Sequence, residues 1–178
     1  MKKIFTISIL LLAFFSKSFS QNPGFQKDNF FIIGTFGGNS FVSKDTDDIK
    51  FNFGTKLGYF VSKNTSVGIG LQFSSDNYFN SSVFVRRYYT PEKQFSIFTE
   101  LAIGYFSQEV EKVKSIGLSA SVSPGFHYFI NENFAIESSV GLLSYSNSFP
   151  QISGAKSTQK IDLSLSVQKI NIGLICKF

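Results

Sequence analysis

Asn64-Thr65-Ser66-Val67-Gly68-Ile69-Gly70-Leu71-Gln72-Phe73-Ser74 is the stretch whose reading decides the fold. Val67, Ile69, Leu71 and Phe73 share one parity, and Gly68, Gly70, Gln72 and Ser74 share the other. Period-two alternation of this kind is the pattern of a β-strand with unlike faces. The same pattern recurs along the chain. Phe51, Phe53, Leu57 and Tyr59 alternate with Asn52, Gly54, Lys56 and Gly58, and Ile97, Leu101, Ile103 and Tyr105 with Glu100, Ala102 and Gly104. Leu118, Ala120, Val122, Phe126 and Tyr128 alternate with Ser119, Ser121, Ser123, Gly125 and His127. The chain ends on Ile170, Ile172, Leu174, Cys176 and Phe178 against Lys169, Asn171, Gly173 and Lys177. Weaker runs near 29–37, 82–90 and 134–146 bring the count to eight strands, several of them as long as the roughly 9–11 residues that a tilted membrane strand needs.

Alternation alone also describes a soluble sandwich or a lipocalin-like barrel. The composition of the less apolar face separates these readings. A face turned to bulk water normally carries Lys, Glu, Thr and Arg, whereas Gly, Ser and Gln dominate here, with one His at His127. Small side chains suit the narrow interior of an eight-stranded barrel, and the large apolar parity then faces lipid. The expected fold class is therefore all-β, an eight-stranded antiparallel up-and-down transmembrane β-barrel. A soluble, lipocalin-like carrier is the fold alternative.

The connections sort in the same way. Ser62-Lys63-Asn64, Pro91-Glu92-Lys93 and Asn131-Glu132-Asn133 are short and polar, and looser segments fall between them near 38–48, 75–81, 107–114 and 147–160. Short periplasmic turns alternating with longer extracellular loops are expected of such barrels, which puts both termini on the periplasmic side. Tyr59-Phe60-Val61-Ser62-Lys63-Asn64 echoes Tyr128-Phe129-Ile130-Asn131-Glu132-Asn133, so two hairpins share one turn design. Aromatics flank these turns (Tyr59, Tyr88, Tyr89, Phe95, Tyr128, Phe134, Phe178), and Phe36, Phe73, Tyr105 and Tyr145 lie toward the opposite ends; the two groups read as interfacial girdles. Leu163, Leu165 and Val167 have the opposite parity to Ile170, Ile172 and Leu174. Either a bulge near Gln168 or Lys169 restores the facing, or 161–167 is loop β-structure beyond the membrane.

The first twenty residues carry Lys2 and Lys3, an uncharged stretch from Ile4 to Phe15, and a small-x-small ending at Ser18-Phe19-Ser20. This is the pattern of a cleaved signal peptide, too short in its apolar core for the roughly 20 residues of a spanning helix. The expected organisation is residues 1–20 as leader, 21–28 as a short lead-in, and 29–178 as the barrel domain. Lys2, Lys3 and Lys17 leave with the leader, so of 17 basic residues 14 remain against 12 acidic ones. With the whole-chain pI of 9.3 resting largely on the leader, no electrostatic footprint for nucleic acid remains. The single Cys176 excludes a disulfide framework and follows no cleavage point that would make it a lipid anchor.

Leu57-Gly58-Tyr59-Phe60 before an Asn-containing turn, Phe84-Val85-Arg86-Arg87-Tyr88-Tyr89, Pro124-Gly125 ahead of Tyr128-Phe129, and the terminal Phe178 occur in an order that resembles the outer-membrane β-barrel domain family. These are small porin-like proteins, related in architecture to the eight-stranded OmpA- and OmpX-type barrels. The resemblance runs from about 29 to 178. It implies residence in the outer membrane of a Gram-negative bacterium, surrounding outer-membrane lipid, and insertion by the barrel-assembly machinery with Phe178 as the assembly signal. Cys176, where an aromatic is more usual, departs from the pattern.

Charged residues on the lumen parity are the one constellation of chemical interest. Lys56, Arg87, Glu100 and Glu137 are the expected network, with Arg86 the alternative to Arg87 because the motif aligns to either. Charges inside a low-dielectric barrel must be paired, so a salt-bridge network filling the lumen is expected, with a narrow ion path as the functional rival. His127 falls near a periplasmic turn, without the Ser, Asp or Glu partners that a general base needs. No phosphate loop, zinc spacing or nucleophile elbow appears, so neither an enzyme nor any cofactor or metal is expected. The role expected is structural or surface interaction, with a narrow pore for ions or small solutes as the alternative. An extracellular or envelope partner would meet the loops, above all 147–160.

Overall fold

The computed structural model describes residues 23–43, 46–75, 77–110, 113–151, 157–163 and 170–178. The expected leader and the first two residues of the lead-in lie outside the described residues. Ten strand segments follow one another among the described residues: β1 (Phe30–Ser43), β2 (Thr46–Ser62), β3 (Thr65–Ser74), β4 (Tyr78–Tyr88), β5 (Phe95–Val110), β6 (Val113–Phe129), β7 (Phe134–Val140), β8 (Leu143–Pro150), β9 (Thr158–Leu163) and β10 (Ile170–Lys177). They make eight staves. β7 and β8 both pair with β6, and the register steps by one residue between Gly125↔Ser139 and Val122↔Leu143, so Gly141-Leu142 interrupts a single stave. β10 lies beside β7 and β9 beside β8, which makes them the two parts of the last stave.

The ladder closes on itself. From Tyr128 the partners run to Ile136, Leu174, Gly34, Thr55, Leu71, Ser81 and Tyr105, and return to β6 at Leu118. One circuit crosses eight antiparallel staves and lands ten residues along the starting strand. That stagger goes with strands tilted roughly 35–45° to the barrel axis. Closure leaves no free sheet edge in this part of the wall, as a structure without water at its perimeter requires.

Period two decides what each residue meets. The outer wall is a continuous apolar surface that includes Val67, Ile69, Leu71 and Phe73 from β3, Val83 and Val85 from β4, and Leu101 and Ile103 from β5, all exposed. Tyr59, Tyr89, Phe95, Tyr128, Phe134 and Phe178 ring it at the end where Pro23 and Phe178 lie, and Phe36, Phe73, Tyr105 and Tyr145 ring it toward the other. Tyr88 does not belong to a girdle: it is fully buried, because it shares the inward parity of Phe84 and Arg86.

The far end differs from the loops expected at 38–48, 75–81, 107–114 and 147–160. The ladder of β1 and β2 continues to Ser43↔Thr46, that of β3 and β4 to Ser74↔Tyr78, and that of β5 and β6 to Val110↔Val113. β8 and β9 still pair at Ser148↔Thr158. A strand that has left the apolar band no longer needs an apolar face, so polar sequence there continues the hairpin instead of ending it. The β1–β2 hairpin outruns β3, since β2 pairs with β3 only to Asn52↔Ser74. The parity of the last stave reverses between Leu163 and Ile170, and the bulge expected near Gln168 or Lys169 lies outside the described residues.

The interior is more aromatic than a Gly/Ser face suggests. Phe31, Phe60, Phe84, Phe98, Phe106 and Phe129 are buried with Tyr88 on the inward parity. Four of them lie directly across the ladder from a glycine: Phe31↔Gly58, Phe84↔Gly68, Phe98↔Gly125 and Phe106↔Gly117. In each pair a Cβ on the glycine would run into the phenylalanine ring. Missing side chains thus give the rings room to lie flat along the wall. Gly58→Val should therefore destabilise the barrel by about 1–3 kcal/mol through overpacking. Gly34→Val faces open space on the outer wall and should leave stability unchanged or slightly raised. Urea unfolding of the two variants in detergent micelles, read by heat-modifiable gel migration, measures the difference.

Candidate functional site

The charged residues converge on one layer of the lumen. Arg86 on β4 is fully buried and faces Glu100, its direct cross-strand partner on β5. Its Nε and Nη2 donate to Glu100 Oε2 at 3.0 and 2.7 Å. The remaining edge of the guanidinium reaches Glu137 on β7, three staves away across the lumen. There Nη1 donates to Oε2 at 2.7 Å and Nη2 to Oε1 at 3.5 Å. Nη1 also donates to the Tyr88 hydroxyl at 3.2 Å. A second bridge crosses the barrel from β2, where Lys56 Nζ donates to Glu100 Oε1 at 2.5 Å.

Two cations and two carboxylates thus form a neutral cluster, and each nitrogen of the guanidinium has a partner. The carbons of the cluster are matched as well. The guanidinium carbon lies 4.0 Å from the centre of the Phe98 ring, and Lys56 Nζ lies 5.5 Å from that of Phe84. A planar, weakly hydrated cation over an aromatic face needs no water on that side.

The lumen has a different character on the two sides of this layer. Toward the far end the inward residues include Thr35, Asn52, Gln72, Asn80, Ser82, Ser119 and Ser121, with Phe84 and Phe106 buried among them. Asn80 Nδ2 donates to Ser119 Oγ at 3.1 Å, and Ser119 Oγ donates to the Gly104 carbonyl at 3.4 Å. Lys56 keeps 23% of its side chain exposed, against 0% for Arg86. Toward the termini the lumen is filled by Phe31, Phe60, Tyr88, Phe98 and Phe129, with Phe25 of the lead-in at its centre. His127 is part of that filling. It is fully buried, packs edge-on against Phe25 and Phe129 at 5.3 and 5.2 Å between ring centres, and has no hydrogen-bond partner at either ring nitrogen among the described residues.

Of the four residues expected in the network, Lys56, Glu100 and Glu137 meet in this layer and Arg87 does not. Arg86 takes its place. Val83 and Val85 occupy the outer wall, and Arg87 shares their parity. It is exposed near the terminal rim and donates to Thr65 Oγ1 at 3.1 Å on the neighbouring strand. Counting parity from Val83 and Val85 would have assigned the two arginines. The same count places Phe98 on the parity of Glu100, and Tyr88, read as a girdle aromatic, on that of Arg86. Phe178 is exposed on the outer wall, and its backbone N–H donates to the Phe30 carbonyl at 2.8 Å, joining the last stave to the first.

The barrel closes as known structures do. The N-terminal β-barrel domain of Pseudomonas aeruginosa OprF superposes with a TM-score of 0.58 at 14% identity, covering 85% of this chain and 98% of that one. The fold is that of an eight-stranded outer-membrane barrel. Neisserial surface protein A matches with a TM-score of 0.50 at 11% identity over 84% of this chain and 97% of its own. A chain from the de novo design of transmembrane β-barrels matches with a TM-score of 0.51 at 13% identity, over 87% of this chain and 99% of its own. No protein-family model matches the chain, and no curated protein matches it.

Removing Arg86 leaves two buried carboxylates with Lys56 alone to neutralise them. Arg86→Met should cost about 3–5 kcal/mol. Arg87→Met removes one exposed hydrogen bond and should be close to neutral. Unfolding midpoints of the two variants in micelles distinguish the buried arginine from its neighbour.

Proposed function

We propose that the chain is an integral protein of the outer membrane of a Gram-negative bacterium, with a closed lumen and a structural or surface-interaction role without catalysis. The observation that carries this reading is the occupied cross-section. The neutral Arg86–Glu100–Glu137–Lys56 layer lies directly on a layer of buried aromatic rings, and an ion crossing both would have to break a buried salt bridge. The apolar outer wall between two aromatic girdles fits a bilayer. In that orientation the end with both termini and the three short turns faces the periplasm, and the hairpins face outward. Phe178, at the seam with β1, is the residue the barrel-assembly machinery would read. The projecting β1–β2 hairpin and the β8–β9 end would meet any extracellular or envelope partner.

A narrow pore for ions or small solutes is the second reading. It is favoured by the amide- and hydroxyl-lined half of the lumen above Lys56, which has the polarity of a solute path. Planar-bilayer recording of the mature protein separates the two. The closed reading expects a flat baseline, with no discrete openings at any applied voltage the membrane tolerates. Reproducible unitary steps would establish the pore instead.

A further inference from the structure

The lead-in does not hang from the barrel but enters it. Phe25 is 1% exposed, with its ring 4.6 Å from that of Phe60 and 5.0 Å from that of Phe129. Its backbone N–H donates to the Pro91 carbonyl at 2.7 Å, in the turn between β4 and β5. Gly24 is pressed against the backbone of Glu92 in the same turn with φ at 149°, where a Cβ has no room and the conformation suits only glycine. Its carbonyl accepts a hydrogen bond of 2.6 Å from Lys177 Nζ, at the end of the last stave. Asp28, at φ 72°, turns the chain out of the mouth and into β1. Its N–H donates to the Phe60 carbonyl at 3.0 Å, and its carboxylate accepts from the Tyr59 hydroxyl at 2.7 Å.

We infer that residues 23–29 are an internal stopper that seals the periplasmic mouth of the barrel and latches the rim where its first and last staves meet. The geometry is that of a fitted part. One aromatic fills the axis of the mouth, and the backbone around it is tied to the β2–β3 rim, the β4–β5 turn and the C-terminal stave. A segment merely resting in the opening would need neither a side-chain-free position against Glu92 nor a left-handed Asp28. The lumen is thereby closed twice toward the periplasm, first by the charge layer and again by the stopper.

Backbone amide exchange on the mature protein in micelles tests the seating. Phe25 and Asp28 N–H should exchange about as slowly as the strand amide of Phe60, orders of magnitude below an unstructured chain. Gly24→Val should speed Phe25 by about tenfold or more while strand amides stay protected. Free exchange of Phe25 in the unaltered protein, or undiminished protection in Gly24→Val, would overturn the latch. The seal is read with Ser66→Cys, a buried lumen position near the mouth, in a Cys176→Ser background with a water-soluble thiol reagent. Adding Phe25→Ala should accelerate labelling by about tenfold or more, with heat-modifiable migration retained; an unchanged rate overturns the seal. The seal rests on the closed lumen proposed above and the exchange measurement does not, so the two fail separately: discrete openings in the bilayer with Phe25 still protected would reject the closed lumen and the seal and leave the latch standing.

Discussion

A guanidinium enclosed by a protein wall that faces lipid has nowhere to find water, so its charge must be met inside the lumen. Leaving such a charge unpaired costs several kcal/mol even after relaxation. Arg86 is met by Glu100 beside it and Glu137 across from it, and Lys56 pairs with the other oxygen of Glu100. These four residues come from β2, β4, β5 and β7. They meet at one level only when eight staves close with the observed stagger. A register slip of one residue would turn any one of them to the lipid, so the cluster selects one closure among those that the outer alternation would tolerate.

The rest of the interior is arranged around that layer. Below it, rings need width, and the glycines opposite Phe31 and Phe98 supply it. Phe98 serves twice, filling the space against Gly125 and carrying the guanidinium on its face. His127 is tolerated among the rings as a flat, apolar-sided filler. Above the layer Asn, Gln, Ser and Thr line the wall together with Phe84 and Phe106, and Asn80 and Ser119 hydrogen-bond to each other.

The outer wall was legible because lipid acts on every stave alike: each must present large apolar residues at every second position, and β3 shows this at Val67, Ile69, Leu71 and Phe73. The lumen was only partly legible, since its contacts join staves distant in the chain. Lys56, Glu100 and Glu137 could be placed on the inner parity, but which carboxylate meets which cation depends on stagger, and adjacent Phe84 and Val85 left the facing of Arg86 and Arg87 ambiguous. Tyr88 was read as a girdle aromatic because it stands beside Tyr89 next to a turn, although it shares the parity of Arg86. The strand ends at 38–43, 46–48 and 107–110 were misread as loops because polar composition in a membrane barrel signals departure from the bilayer, not the end of a strand. The lead-in showed no pattern at all: a single Phe25 after Gly24 acquires meaning only against the turn at Pro91 and Glu92.

The dependence of the fold on the cross-lumen ion pair is measured most directly by a double-mutant cycle. Arg86→Met, Glu137→Gln and the double variant would be unfolded in the same micelles, so that the coupling free energy isolates the pair from the cost of each single change. A coupling of about 1.5 kcal/mol or more is expected for a close, desolvated charge pair. A coupling indistinguishable from zero would contradict the account, because it would mean that the two staves are held together without the charges that meet between them.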